Sequence, residues 1–362
     1  MKDTQKALRS SNMDMMRIFS MMLIVFLHSI DYSGVLETCS QGTAMYYFVY
    51  FGYFLSQVSV NCFVLLSGYF LIESKFRVSK LLSLWLEVMF YSLVIRIIFI
   101  LVGINAFSWT SIISCFVPVF TGRYWFITIY FGLYLVSPFL NIGLKALSEK
   151  QHKLLIIVLF ALFPFMVSIL PSWNGMSSGG GWGLAWFVVL YVSAAWFRMY
   201  YNPTGKIKMK ILAFLSINCF VVFLLWITQV LNVGIAQKIV LNWYKYDSAP
   251  VYIMSILVLV IFINIKCKSI AVNKVISALA PLTFGVYLIH HHADFGLWMW
   301  NMINLPQYMD SISFALIQIG YVLLIFLSCA AIDWVRRIAF NFMRINSLCK
   351  KIDELIDIEK YM

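Results

Sequence analysis

Apolar residues in this chain do not alternate with polar ones; they gather in long runs separated by short polar breaks. Ten runs stand out, roughly at 15–34, 45–72, 80–104, 124–144, 153–171, 184–201, 210–231, 250–266, 276–300 and 311–334. A bilayer core needs about 20 apolar helical residues to cross it, so the pattern predicts an all-α polytopic membrane protein of about ten transmembrane helices. On this reading 1–14 is a cytoplasmic segment, 15–334 a single transmembrane domain and 335–362 a basic cytoplasmic tail.

Composition agrees with the pattern. Of 362 residues, 62% are hydrophobic and 12% charged, against roughly 25% charged in a soluble domain, so lipid and not a single aqueous core must cover the surplus. The net charge of +12 would point to nucleic acid in a soluble protein, but its distribution gives a membrane reading and no nucleic acid is expected. With the amino terminus inside, 23 of the 27 Lys and Arg fall in inner segments. Arg123, Lys238 and Lys245 fall outside, and Arg96 falls within a span. The asymmetry follows the positive-inside rule, and a missed or extra span would scramble every later loop, so ten spans with both termini cytoplasmic fit best.

Other readings fall away. The seven cysteines, at 39, 62, 115, 219, 267, 329 and 349, are scattered, odd in number and lack CxxC spacing, so neither a disulfide framework nor a metal site is expected. The first apolar run has a basic flank but no small-residue cleavage motif, and is read as an uncleaved span. The segment GMSSGGGWG at 175–183 lacks the ending of a phosphate loop and is read as a flexible outer loop. Aromatic residues, 17% of the chain, suit both sugar stacking and membrane interfaces and decide nothing.

Ionisable groups within spans carry the chemical information, because each costs about 2.5–3.5 kcal/mol at a helix centre unless paired, solvated or useful. They are Arg17 and His28 on the first helix, Glu87 and Arg96 on the third, and His290, His291, His292 and Asp294 on the ninth. Arg17 and His28 are eleven residues apart, which places them on one face about 16 Å apart along the axis. A guanidinium at the inner edge can grip phosphate, and an imidazole near mid-membrane can take or give a proton. That layout suits a long ligand with phosphates at one end and a reactive thioester at the other, an acyl-coenzyme A; it also suits a topology anchor with a packing histidine. Glu87 and Arg96 are nine residues apart and lie on nearly opposite faces, so each needs a partner on another helix. Arg96 can bind an anionic group or simply pair within the bundle. At most two of the three consecutive histidines can face one site, which argues against a metal cluster there, and His290 is the best candidate. His291 and His292 are read as facing water at the outer end. Asp31 can orient the His28 imidazole or cap the helix, and Arg123 can dock an anionic sugar or anchor the chain at the interface.

Several segments together resemble the acyltransferase 3 family, bacterial membrane enzymes that O-acylate surface glycans. DMMRIFSMMLIVFLH at 14–28 resembles its Arg-ten-residues-His signature. NCFVLLSGYF at 61–70 resembles its phenylalanine-rich stretch ending in Ser-Gly-Tyr/Phe, here Ser67, Gly68 and Tyr69. FRVSK at 76–80 resembles its Arg-x-x-Arg motif, with Lys80 in place of the second arginine. YWFITIYFGLYLVSPFLN at 124–141 and PLTFGVYLIHH at 281–291 resemble its Trp-Phe and Tyr-Leu-x-His helices.

The resemblance implies a function: an O-acyltransferase, expected to be an O-acetyltransferase, moving an acyl group from cytoplasmic acyl-CoA to a hydroxyl of a cell-surface or lipid-linked polysaccharide. His28 would be the catalytic residue, as a base or as a transient acyl carrier. Arg17, Arg77 and Lys80 would bind the donor, although lysine at 80 offers a point charge where the family has a fork. His290, Ser67, Tyr69, Arg96 and Asp14 are the remaining candidates to line the site. No cofactor is expected to be permanently bound; acetyl-CoA is the expected donor. The partners are acyl-CoA, a glycan or lipid-linked sugar and the lipid bilayer, with room for a second copy or a polysaccharide-synthesis protein. The expected location is the bacterial inner or plasma membrane. After 334 the chain shows only a basic segment in place of the esterase-like domain of some relatives, so transfer is expected to be completed by the membrane part or a separate protein. Two alternatives stay open: a transporter or binding module using the same buried charges, and a structural partner for which His28 and Arg17 are dispensable.

Overall fold

The computed structural model describes residues 2–170 and 178–356, with side chains described from residue 11 onward. Among them there is no strand, and apolar helices occupy all ten expected positions. Eight are long and apolar enough to cross a membrane. In chain order the ten are α1 (Ser11–Asp31, the apolar part of a helix beginning at Lys2), α2 (Ala44–Leu71), α3 (Val78–Leu101), α4 (Trp125–Ala146), α5 (Glu149–Ile169), α6 (Leu184–Tyr200), α7 (Ile207–Val230), α8 (Ala249–Asn264), α9 (Ile270–His290) and α10 (Phe314–Phe342). The two shorter ones, α6 and α8, have 17 and 16 residues. Helices suit this solvent because each satisfies its own backbone donors and acceptors. The protein is a polytopic helical membrane protein. Below, the inner side is the side where the lysine-rich helix ends lie.

α1 and α2 form the middle of the bundle, and α1 packs on α2, α8, α9 and α10. The tightest crossing joins α2 to α6, and Gly68 of the Ser-Gly-Tyr stretch explains it. A Cβ there would stand 2.9 Å from the Tyr191 Cα and carbonyl oxygen, so only glycine admits that backbone approach. Gly285 plays the same part between α9 and α10, where a Cβ would fall 2.1 Å from the Asp333 carboxyl.

Charges within the bundle are paired across helices. Arg336 on α10 donates from Nη2 to Glu87 on α3 at 2.8 Å and also bonds Asp333, whose Oδ1 accepts from the Tyr91 hydroxyl at 2.8 Å. Arg96 pairs instead with Asp294 at 2.7 Å. Glu87 and Arg96 thus find different partners, as their opposite faces require.

The ninth span departs from expectation. The sequence suggested one helix over 276–300, but α9 tightens into a 3-10 turn at Ala280–Leu282, around Pro281, and ends at His290. A separate helix, Phe295–Ile303, follows. The helix is interrupted between them, and there the Gly296 N–H donates to the His292 carbonyl and the Gly296 Cα side faces the His290 carbonyl too closely for any Cβ. The basic segment after α10 also has structure: Ile345–Leu355 is a helix packed on the start of α3, where the Asp353 carboxylate accepts the Ser79 N–H at 2.8 Å and the Ser79 hydroxyl at 2.5 Å. Of the supposed outer loop, Ser178 onward forms a short turn over Gly179–Gly181; 175–177 lie outside the described residues.

Candidate active site

The end of α1 and the end of α9 bring His28 and His290 together. His28 Nδ1 lies 3.0 Å from His290 Nε2, and both rings are buried. The other nitrogen of His290, Nδ1, is 2.6 Å from the Val286 carbonyl one turn earlier. A carbonyl can only accept, so His290 Nδ1 carries the hydrogen. In a neutral ring His290 Nε2 then accepts, and His28 must donate from Nδ1. His28 Nε2 is thereby left with its lone pair, the form a general base requires.

A stack of rings holds this pair. His291 lies on His28, with centroids 4.7 Å apart and planes 18° apart, and Tyr287 in turn stacks with His291 at 5.1 Å. Tyr32, one turn after His28, stacks on it at 4.8 Å and places its hydroxyl 3.2 Å from His291 Nδ1. The Tyr124 hydroxyl donates to the Leu288 carbonyl and fixes α4 against α9. His292 is occupied otherwise: its Nε2 is 3.4 Å from the Ser92 carbonyl and its Nδ1 accepts the Asp294 N–H at 3.1 Å.

His28 sits in the last turn of α1 and His290 is the last residue of α9, so the pair lies at the outer helix ends. Two expectations are corrected here. His292 does not face water: it is buried, while His291 is half-buried among rings. Asp31 does not orient His28, since its carboxyl bonds the Tyr53 side chain.

On the inner side, Arg17, Ser67 and Tyr130 line a cavity of about 280 Å³ with Phe63, Phe70, Phe126 and Thr283. Arg17 donates to Asp14 at 2.6 Å, so the two candidates form one ion pair at its edge. Ser67 hydrogen-bonds the Tyr130 side chain. The cavity stops short of the histidines: Phe126 lines its end and stands 6.0 Å, ring to ring, from Tyr287. The other candidates lie elsewhere. Tyr69 stacks beneath Arg198, which pairs with Glu73. Arg96 bonds Asp294 and Ser111. Arg77 and Lys80 are exposed, outside the Arg17 cavity, and feel the charge of Asp353. Arg123 donates to Ser111 and Ser114.

The sequence did not single out Tyr32, Tyr130 or the ring of Tyr287. Tyr32 could have been found, being four residues after His28 on the same helix face. Tyr130 had no signal of its own among so many aromatics.

These features define a polytopic helical membrane protein with a buried, oriented histidine toward one face and a cavity lined by Arg17 toward the basic one. A family model described as "Acyltransferase domain", that of the acyltransferase 3 family, matches residues 10–334, and the chain belongs to that family. It is a membrane acyltransferase. No curated protein and no solved structure matches the chain.

Proposed function

We propose that the protein is a bacterial cell-membrane O-acetyltransferase. It takes acetyl from acetyl-CoA offered at the basic side and esterifies a hydroxyl of a surface or lipid-linked polysaccharide at the other side. The observation that carries this reading is the His28–His290 bond of 3.0 Å, which leaves His28 Nε2 free to accept a proton at the outer helix ends.

In this reading the donor arm enters through the Arg17 cavity and must pass Phe126 to reach the histidines. His28 Nε2 takes the proton of the acceptor hydroxyl as its oxygen attacks the thioester carbonyl. The tetrahedral intermediate collapses, the C–S bond breaks, and the imidazolium returns the proton to the departing thiolate. His290 acts as a positioning residue, fixing the His28 tautomer as a carbonyl or carboxylate does in other histidine sites. The basic inner rim, with Arg17 at the cavity edge, attracts the donor phosphates. Transport explains the arrangement less well, because the oriented histidine has no need to keep a lone pair in a binding module.

The test compares ester-linked acetyl on surface glycans, by proton NMR, among cells lacking the protein, cells with the wild type and cells with His28→Ala at equal membrane abundance. Acetyl only with the wild type is expected. Full restoration by His28→Ala overturns the role of His28, and no difference in acyl esters among the strains overturns the enzyme reading.

A further inference from the structure

A second cavity of about 300 Å³ adjoins the Arg17 cavity on the inner side, with Leu71 lining both. Its walls include Lys75, Phe76, Tyr134, Ser137, Asn141 and Lys145. The two cavities follow the same pair of helices: Phe70 and Tyr130 line the first, and Ser74 and Tyr134, one turn further in on each segment, line the second. We infer that this second cavity is the seat of the donor's phosphorylated nucleotide, with Lys75 and Lys145 holding its phosphates, which places that seat apart from Arg77 and Lys80. The inference rests on the acyl-CoA reading above.

Chemistry distinguishes the two candidate seats. Lys75, just past the inner end of α2, and Lys145, in the last turn of α4, bring cationic donors to two sides of one concave space. Phosphate offers only acceptors at neutral pH, so ammonium groups are what it needs there. The Ser74 and Ser137 hydroxyls spend their hydrogens on the Phe70 and Tyr134 carbonyls. Their lone pairs still accept from ribose hydroxyls or an exocyclic amine.

The wall is built before a ligand arrives. Asn141 donates to the Leu71 carbonyl at 2.8 Å and accepts the Tyr191 hydroxyl at 2.6 Å. The Tyr134 hydroxyl accepts the Arg77 N–H at 3.1 Å, and its ring lies 5.1 Å from that of Phe76, giving an aromatic side against which a base can lie. Arg77 and Lys80, in contrast, line neither cavity and stand beside Asp353, whose carboxylate already occupies the start of α3. A phosphate placed there would meet that negative charge. From the Lys75–Lys145 seat, the rest of the donor continues past Leu71 into the space lined by Arg17, Ser67 and Tyr130.

The test is binding without turnover. Full-length protein in lipid nanodiscs is titrated calorimetrically with coenzyme A and, separately, with 4′-phosphopantetheine, which lacks the nucleotide. Lys75→Gln/Lys145→Gln is expected to weaken coenzyme A about ten- to a hundredfold and 4′-phosphopantetheine less than threefold, while Arg77→Gln/Lys80→Gln changes coenzyme A less than threefold. Unchanged melting temperatures exclude misfolding for these exposed side chains. If the wild type binds coenzyme A and the lysine pair is neutral, or the Arg77/Lys80 pair carries the larger loss, the seat is wrong while the donor reading stands. If the wild type binds no coenzyme A at all, the donor reading falls and the seat with it.

Discussion

His28 and His290, 262 positions apart in the chain, share a hydrogen bond of 3.0 Å between Nδ1 and Nε2. Because His290 spends its own Nδ1 hydrogen on Val286, the direction of that bond is set, and so is the nitrogen that His28 presents to a substrate. A histidine that looks like one more residue of an apolar helix is turned into an oriented base by another helix end.

Replacing His290 tests this directly. His290→Phe keeps bulk but removes the acceptor, and the acyl-transfer rate constant is expected to fall about ten- to a hundredfold, the usual cost of losing an orienting partner. KM for the donor should barely move. His290→Gln, whose amide oxygen can accept from His28 Nδ1, should recover part of the loss. Equal kcat for wild type and His290→Phe would show that the bond orients nothing of consequence.

The α9–α10 contact gives a stability prediction. A methyl at position 285 would fall 2.1 Å from the Asp333 carboxyl, and Asp333 is held by Tyr91 and Arg336. Gly285→Ala is therefore expected to cost at least the 1–3 kcal/mol or so typical of overpacking, seen as a lower unfolding midpoint in mixed micelles. Gly143→Ala, with nothing within 4 Å of its Cβ position, is the matched control and should be neutral or slightly stabilising.

The Glu87–Arg336–Asp333 group predicts an asymmetry between its members. Arg336→Leu strands the buried Asp333 carboxylate and the half-buried one of Glu87 and should destabilise by about 3–5 kcal/mol. Glu87→Gln leaves Arg336 with Asp333 at 2.8 Å and should cost less than half as much. Denaturant titration of the three proteins in one detergent compares them; equal losses would mean that Glu87 is as necessary as the arginine.

At the inner end, Asp353 ties the Ile345–Leu355 helix to α3, and Cys349 on that helix is buried. Slight burial raises the Asp353 carboxyl, but hydrogen bonds from Ser79 and the charge of Arg77 outweigh it and hold the group below its ordinary value. A carboxylate lowered on docking stabilises the docked helix fully above its undocked value and loses that contribution as pH falls through the docked one. Alkylation of Cys349 by a polar maleimide, taken relative to the unfolded protein at the same pH so that the thiolate fraction cancels, should thus be slow at neutral pH and approach the unfolded rate only in acid. In Asp353→Asn it should be fast at both; slow labelling of that variant would place the anchor of this helix elsewhere.

What the sequence determined by itself is everything set by the solvent. Long apolar runs and alternating lysine-rich ends name the positions of ten helices and their all-α class, because hydrocarbon leaves the backbone only one local way to bond itself. The eleven-residue spacing of Arg17 and His28 and the order of short motifs pointed to the right family, since helix periodicity and sequence order are local quantities. Tertiary structure decided the rest. The break after His290 depends on how Gly296 packs against a carbonyl, and the tautomer of His28 on a ring that arrives from another helix. That Arg77 and Lys80 stand beside a carboxylate depends on a tail helix that brings Asp353 to the start of α3. Each is a pairing between distant segments, and one chain read in order carries no record of which polar group will meet which across a bundle whose surfaces are nearly all apolar.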